Sequence, residues 1–283
     1  MTKAMSTRII SATVAIILAV IVLILHKTFI FDIAVGCLAV GAVYELFKAM
    51  DYLKFRVQSW ICMGYAFLTC VSYMWWQNGK QILFNDKFFA VAFVIALSVV
   101  YLKEHETYNY KDFFLMLAVA LVVPYSFSSM LKMNTFENTG LFMIIATLCG
   151  AWLADSGAYF AGTFFGKTPL CPSISPKKTV EGVLGGVVCN GLILIIVGLF
   201  YDFVLGGTSI NYLPLFLAGM VCAIIGLVGD LTASIIKRQT GIKDYGNLMP
   251  GHGGVMDRFD SVLFVAPFMY YVFTQGWIMN IYA

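Results

Sequence analysis

The stretch GVLGGVVCNGLILIIVGLFYDFV, residues 182–204, decides the fold class of this chain. It holds 23 residues, of which Asp202 alone is charged. A helix needs about 20 mostly apolar residues to cross the hydrocarbon core of a bilayer, so the stretch predicts a membrane-spanning helix. The rest of the chain has the same character, because 60% of its 283 residues are hydrophobic and only 12% are charged. This composition predicts an all-α, polytopic integral membrane helical bundle.

Further apolar windows flank this stretch on both sides, and together they predict about nine transmembrane helices. The windows lie near 9–25, 29–50, 57–76, 87–102, 112–131, 138–166, 182–204, 212–236 and 256–278. No small-residue cleavage site follows the first window, so we expect a membrane anchor there rather than a removable signal peptide.

The distribution of positive residues favours one orientation in the membrane. With the N-terminus in the cytosol, 14 of the 18 Lys and Arg residues fall on inner segments, as the positive-inside rule requires. We therefore expect the C-terminus outside and the loops 167–181 and 237–255 on the cytosolic side. The formal net charge of +3 is too small to indicate binding to nucleic acid.

The cysteines and the polar residues of the N-terminal half carry weaker signals. The seven cysteines are scattered without a CxxC pattern, so we expect small buried hydrophobes rather than disulfides or metal ligands. Glu45 lies beside Lys48, and two interpretations stay open: a structural pair with Lys48 or a place in a polar cavity. The segment KEHETY, residues 103–108, fits no recognised metal-ligand spacing and predicts a solvated turn.

Besides Asp202, four aspartates lie within or at the ends of the C-terminal windows, where an acid costs roughly 2.5–3.5 kcal/mol at the bilayer centre. They are Asp155, Asp230, Asp257 and Asp260. All four fall toward the cytosolic side of their predicted spans. Desolvating so many charges for structure alone is rarely favourable, so these acids predict a functional site.

Helical spacing groups these acids with polar neighbours. Asp230, Ser234 and Lys237 are spaced i, i+4, i+7 and share one stripe of their helix. Asp257, Asp260 and Ser261, spaced i, i+3, i+4, share another stripe at the start of the last window. Two acid-bearing stripes of this kind are able to face each other.

The loop FFGKTPLCPSISPKKTVEG, residues 164–182, supplies positive charge to complement the acids. Its lysines are Lys167, Lys177 and Lys178. Ser175 and Pro176 are disposed as the N-cap and first-turn proline of the next helix. A helix start directs free N–H groups toward an anion, so this loop predicts a phosphate-binding site.

The loop GHGGVMDRFDS, residues 251–261, leads into the last window. Gly251, Gly253 and Gly254 allow backbone conformations and close approaches that side chains would block. Carboxylates beside phosphates are what Mg²⁺ prefers as ligands, so we expect a metal and phosphate site at the cytosolic mouth of the bundle. For His252, a hydrogen bond to phosphate or a brace for the loop is favoured over a general base, because a phosphate nucleophile is already ionised.

The polar positions from Ser234 to Asp260 resemble the signature of the phosphatidate cytidylyltransferase family, also called CDP-diacylglycerol synthases. The matched positions are Ser234, Lys237, Arg238, Lys243, Asp244, Gly246, Pro250, His252, Gly253, Gly254, Asp257, Arg258 and Asp260. Met249 departs from the pattern, which usually has Leu, Ile or Phe, but the change nearly conserves volume. Upstream similarity at Asp155, Gly162, Gly166, Lys167 and residues 175–182 extends the resemblance to roughly residues 150–261, and the chain is most similar to the bacterial branch.

The resemblance implies a Mg²⁺-dependent nucleotidyltransferase of phospholipid biosynthesis, in which the phosphate of phosphatidate attacks the α-phosphorus of CTP in line. The products are CDP-diacylglycerol and diphosphate. The family implies that Asp230 and Asp257 bind one or two Mg²⁺ ions, with K⁺ as a candidate second cation. Including positions that we assign from charge and spacing, the expected catalytic residues are Asp230, Lys237, Arg238, Lys243, Asp244, His252, Asp257, Arg258 and Asp260. The expected substrate-binding residues are Asp155, Lys167, Ser175, Lys177, Lys178, Thr179, Ser234, Gly253 and Gly254.

These expectations define a domain plan and a cellular setting. Residues 1–137 form a lipid-embedded scaffold of five spans, and residues 138–283 form a catalytic region of four spans with two polar cytosolic loops. Phosphatidate arrives from the inner leaflet of the plasma membrane and CTP from the cytosol. Gly182 and Gly186 form a small-xxx-small pair that packs helices within or between subunits, and a homodimer is compatible with the family.

Two other functions compete with this interpretation. A CTP-dependent polyprenol or dolichol-type lipid kinase would share the phosphate-binding needs, but it would transfer the γ-phosphoryl group and release CDP. An ion-coupled transporter also carries intramembrane acids, yet such folds usually have two related halves. Because the polar residues here are confined to the second half, the transporter is the weaker alternative.

Overall fold

The computed structural model describes residues 3–77, 80–81, 85–205, 210–248, 251 and 253–279. Its helices are α1 Lys3–Ile24, α2 Phe29–Ala49, α3 Arg56–Val71, α4 Asp86–Lys103, α5 Tyr110–Asn134, α6 Gly140–Phe165, α7 Val180–Leu205, α8 Tyr212–Gln239, α9 Met256–Phe259 and α10 Val262–Thr274. Two short antiparallel strand pairs accompany them, β1 Trp76–Gln77 with β2 Lys80–Gln81 and β3 Pro169–Cys171 with β4 Ser175–Thr179. Short 3₁₀ turns span Tyr52–Lys54 and Ser72–Trp75.

Eight of the apolar windows each overlap one helix, and the last window overlaps both α9 and α10, which confirms an all-α integral membrane protein. Within the described part of the chain, five helices are long and apolar enough to cross a bilayer, namely α2, α5, α6, α7 and α8. The apolar part of α1, Ile10–Ile24, and α10 are shorter. The predicted count of about nine spans is therefore not confirmed.

The chain folds as two compact units. The first contains Met1–Thr135 and Thr240–Arg258, and the second contains Phe136–Gln239 and Phe259–Ala283. In the first unit α2, α3 and α5 pack together, and in the second α7 packs against α6 and α8. The division of roles at residue 137 stays a prediction.

Small residues let α6 and α7 pack backbone to backbone in the second unit. A Cβ on Gly182 would lie 2.8 Å from the carbonyl oxygen of Ala158, and one on Gly186 would lie 3.0 Å from that of Ala154. The Gly182 and Gly186 pair therefore packs helices within this chain. Buried Asn190 on α7 adds a polar tie, because its side-chain amide donates to the carbonyls of Gly150 at 2.9 Å and Gly219 at 2.8 Å.

The start of α7 differs from the prediction. Ser175 and Pro176 belong to β4, which pairs with β3 in the register Cys171 with Ser175, and α7 begins at Val180. The hydroxyl of Thr179 accepts a hydrogen bond from the backbone N–H of Gly182 at 3.1 Å, as a helix N-cap does. The prediction of Ser175 as the N-cap was wrong, because strand pairing keeps this segment extended and Thr179 offers a hydroxyl four residues later.

The last predicted span does not begin as one continuous helix. The short helix α9 ends at Phe259 and α10 begins at Val262, with Asp260 and Ser261 between them. The backbone N–H of Ser261 donates to the carboxylate of Asp260 at 2.7 Å, a local bond that competes with helical hydrogen bonding. The expected continuous stripe through Asp257 and Asp260 is therefore interrupted.

The cysteines, all within the described residues, are free thiols. Cys62, Cys70 and Cys222 are buried, as small hydrophobes are, whereas Cys37 is exposed.

Candidate active site

Three of the predicted site residues meet in the second unit. The ammonium of Lys178 on β4 lies 2.6 Å from a carboxylate oxygen of Asp230 on α8. The same ammonium lies 3.5 Å from a carboxylate oxygen of Asp155 on α6. Strand β4, within the lysine-rich loop, thus places the ammonium of Lys178 against two acids from different helices.

A cavity of about 490 Å³ opens around this group, a size typical of small-molecule sites. Its polar lining includes Asp155, Ser175, Lys177, Lys178, Thr179 and Asp230. Its apolar lining includes Ala154, Ala158, Val183, Val187, Ala223 and Leu227. The structure therefore brings six of the residues predicted from sequence into one cavity, beside an apolar wall of mostly small side chains.

Neighbouring carboxylates stabilise the positively charged form of Lys178. Burial by itself would lower the pKa of the Lys178 ammonium, but the attraction of Asp155 and Asp230 outweighs it and raises the pKa above its usual value. The side chains of Lys178 and Asp230 are 23% and 24% exposed, whereas that of Asp155 is 58% exposed. The cation therefore sits at the partly buried end of the group, with Asp155 toward solvent.

Glu181 holds the backbone of the loop before β3, a role that the sequence did not predict. The carboxylate of Glu181 accepts hydrogen bonds from the backbone N–H groups of Lys167 at 3.1 Å and Thr168 at 3.1 Å. The exposed Lys167 therefore has its backbone held by α7, although it does not line the cavity. The signal in the sequence was an acid in the first turn of a helix that follows a polar loop.

The signature residues Ser234 and Lys237 lie on the same helix as Asp230, as the helical spacing predicted. Ser234 and Lys237 follow on the same unbroken helix and are half-buried, while Arg238 is exposed. These three residues lie outside the lining of the cavity. A Cβ on Gly229 would lie 2.7 Å from the carbonyl oxygen of Asp260, so this glycine lets α8 contact the junction before α10 directly beside Asp230.

Of the remaining signature residues that the structure describes, Asp260 lies in the second unit and the others lie in the first unit, between Thr240 and Arg258. Lys243, Asp244 and Arg258 are exposed. His252, Met249 and Pro250 lie outside the described residues, so the roles predicted for them stay predictions.

The carboxylate of Asp257 holds the signature loop, which we define as the described residues among 245–257, namely 245–248, 251 and 253–257. One of its oxygens accepts hydrogen bonds from the backbone N–H groups of Tyr245 at 2.8 Å and Gly254 at 3.0 Å. Gly251 and Gly253 have φ values of +80° and +86°, a region that glycine adopts without strain. The glycines predicted to allow unusual backbone geometry therefore do so.

Glu45 contacts the same loop from α2. Its carboxylate is buried and accepts hydrogen bonds from the backbone N–H groups of Val255 at 3.0 Å and Met256 at 2.8 Å. The buried Glu45 carboxylate bonds to backbone amides, which neither a structural pair with Lys48 nor a place in a polar cavity anticipated. The sequence showed an acid near a helix end but not its partner more than 200 positions away.

The donor set around Lys178 suits a Mg²⁺ site that is completed by substrate. Within the described residues, no group of three or more His, Cys, Asp or Glu side chains forms a candidate metal site. Mg²⁺ usually takes only one or two carboxylates and fills its remaining positions with substrate phosphates and water. Asp155 and Asp230, both in the cavity lining, meet this requirement, although sequence reasoning had assigned Asp155 to substrate alone.

The fold and the cavity define an integral membrane protein with a cationic and acidic site beside an apolar wall. A model of the cytidylyltransferase family matches residues 6–275. The chain is 30% identical over 270 residues to the phosphatidate cytidylyltransferase of Bacillus subtilis (strain 168), covering 95% of this chain and 97% of the relative.

Two further relatives carry the same name. The Haemophilus influenzae protein is 28% identical over 285 residues, covering 94% of this chain and 97% of the relative. The Staphylococcus haemolyticus protein is 42% identical over 133 residues, covering 47% of this chain and 49% of the relative. The chain belongs to the cytidylyltransferase family and is a nucleotidyltransferase, as the signature predicted.

Proposed function

We propose that this protein converts CTP and phosphatidate to CDP-diacylglycerol and diphosphate, a step of phospholipid biosynthesis. Full-length similarity to relatives named phosphatidate cytidylyltransferase supports the assignment. The structural observation that carries it is the cavity in which Lys178 contacts Asp155 and Asp230 beside an apolar wall. A phospholipid needs both surfaces, because its headgroup is anionic and its remainder is apolar.

Charge neutralisation is the main chemical task of this site. The phosphate of phosphatidate and the α-phosphate of CTP are both anions, so they repel each other as they approach for in-line attack. Lys177 and Lys178 in the cavity supply charge-assisted hydrogen bonds to phosphate oxygens. A phosphate nucleophile is ionised near neutral pH, so the residues here need only hold and orient it.

We assign the metal to the acids. Asp230 would hold Mg²⁺ together with Asp155, and the family pattern adds Asp257, with K⁺ as a candidate companion. When bound, Mg²⁺ supplies positive charge that polarises the α-phosphoryl group and stabilises the leaving diphosphate. Lys178, whose ammonium lies beside both acids, would donate to phosphate oxygens of the substrates held in the same cavity.

The proposed setting follows from charge and hydropathy. About nine spans, a cytosolic N-terminus and an external C-terminus place the lysine-rich loop on the cytosolic face of a bacterial inner membrane. CTP then arrives from the cytosol and phosphatidate from the inner leaflet. The same proposal is compatible with a homodimer and includes no nucleic acid.

The test uses detergent-purified protein with phosphatidate, Mg²⁺ and CTP labelled either at the α- or at the γ-phosphate. Label from the α-position in a lipid, with free diphosphate, is the expected result. Label from the γ-position in a lipid, with release of CDP, would identify a lipid kinase instead. Ion flux in proteoliposomes without nucleotide turnover would identify a transporter.

A further inference from the structure

Glu45 makes a contact that the proposed reaction does not explain. Its side chain extends from α2, is 6% exposed, and accepts the backbone N–H groups of Val255 and Met256. A carboxylate in such surroundings is costly unless its oxygens are bonded. Both oxygens here accept a hydrogen bond, one from each N–H group.

The signature loop is shaped to admit this carboxylate. A Cβ at either Gly246 or Gly254 would collide with the carboxylate oxygens of Glu45. A Cβ on Gly41, one turn earlier on α2, would lie 3.1 Å from the side chain of Val255. Glycines on both the helix and the loop thus allow the close approach that the two hydrogen bonds need.

The backbone N–H groups of three consecutive residues, 254–256, donate to two different carboxylates. Asp257 accepts from Gly254, while Glu45 accepts from Val255 and Met256. Asp257 also accepts from Tyr245, which joins the two ends of the loop. The backbone directly before Asp257 is therefore held by Glu45, and the direction of the Asp257 side chain depends on that backbone.

We propose that Glu45 is a positioning residue, which sets the conformation of the signature loop so that Asp257 presents its carboxylate in the geometry that metal binding needs. The inference rests on the proposed function only in giving Asp257 a metal role. Glu45 itself contacts neither substrate nor metal in this scheme. Its effect reaches the reaction through the amides of Val255 and Met256.

Hydrogen–deuterium exchange of Glu45→Gln and Glu45→Ala tests the contact. Gln keeps the shape but offers a single carbonyl acceptor, and Ala removes both acceptors. Because hydrogen bonds to charged groups are strong, we expect exchange at residues 254–256 to rise by about tenfold or more in Glu45→Ala and by less in Glu45→Gln. Asp32→Asn on the same helix is the matched control and should exchange like the parent, and unchanged exchange in α3 and α5, which pack against α2, shows that each variant is folded. Parental exchange at residues 254–256 in both Glu45 variants would overturn the inference.

Metal binding tests the positioning role independently of turnover. We expect Mn²⁺, titrated by electron paramagnetic resonance in the presence of CTP, to bind several-fold more weakly to Glu45→Gln than to the parent or Asp32→Asn. Equal affinity in the parent and Glu45→Gln, including no binding in either, would overturn the positioning role. Absence of lipid product in the parent protein, with Mn²⁺ affinity still dependent on Glu45, would instead count against the proposed function alone.

Discussion

The family resemblance implies one metal-binding role for Asp230 and Asp257, yet the partners of the two carboxylates differ in kind. Asp230 contacts the ammonium of Lys178, a side chain from a distant strand. Asp257 contacts the backbone N–H groups of its own loop, at Tyr245 and Gly254. The first carboxylate is neutralised by a mobile cation, and the second is bonded to fixed dipoles.

This difference teaches how two identical side chains contribute differently to a site. An ammonium is a point charge on a flexible stem, so another cation is able to replace it without altering the backbone. Backbone amides cannot leave, so the carboxylate that accepts from them determines the shape of the loop. Removing the charge of Asp230 should alter electrostatics alone, whereas removing that of Asp257 should alter electrostatics and loop structure together.

The largest effect is expected for Asp257→Asn. Loss of the proposed metal ligand and of a loop acceptor should lower kcat by roughly 1000-fold or more, since metal stabilisation is worth several kcal/mol. Turnover should stay low with Mg²⁺ and Mn²⁺, and exchange at residues 245–257 should rise. Parental turnover in the folded variant would remove the metal assignment.

A similar but purely electrostatic loss is expected for Asp230→Asn. We expect kcat to fall by about 100- to 1000-fold, because the cavity loses one of its two carboxylates. Exchange at residues 245–257 should match the parent, which separates this variant from Asp257→Asn. Equal hydrogen exchange at residues 245–257 in Asp230→Asn and Asp257→Asn would show that the two carboxylates do not differ in their effect on the loop.

Lys178→Ala should lower turnover less than either aspartate variant does. Lys177→Ala should lower it less than Lys178→Ala does. A charge-assisted hydrogen bond is worth about 1.5–3 kcal/mol, so kcat/KM for CTP should fall roughly 10- to 100-fold in Lys178→Ala. Lys177 is exposed and forms none of the ion pairs seen among the described residues. Unchanged KM and kcat in the double variant would mean that the loop lysines serve topology alone.

The smallest effect on turnover is expected for Asn190→Leu, which tests the packing of the second unit rather than its chemistry. The variant loses the two hydrogen bonds to Gly150 and Gly219, each worth roughly 0.6–1.7 kcal/mol in a membrane protein. A lower thermal midpoint in detergent, with turnover per folded molecule near the parental value, is the expected result. A large fall in kcat at full folding would show that this tie also sets the cavity.

Local patterns predicted the helices and part of the site well. The windows near 138–166 and 212–236 became α6 and α8, and the spacing of Asp230, Ser234 and Lys237 survived on one helix. Local patterns failed at two places where a different short-range bond competed with the expected helical hydrogen bonds. The sequence predicts Ser175 as a helix cap, but its segment pairs with Cys171 as a strand. The sequence predicts Asp260 within a helix, but its carboxylate accepts a hydrogen bond from the backbone N–H of Ser261.

The sequence by itself determined that the chain is a helical membrane protein, which residues carry its charge, and to which family it belongs. Apolar length, helical period and signature spacing are local properties, so they can be read in order along the chain. Only the tertiary structure decided that Asp155 shares Lys178 with Asp230 and that Glu45 holds the amides before Asp257. Those contacts join residues between 23 and 211 positions apart, and hydrogen bonds and ion pairs depend on distances that only the packing of helices establishes.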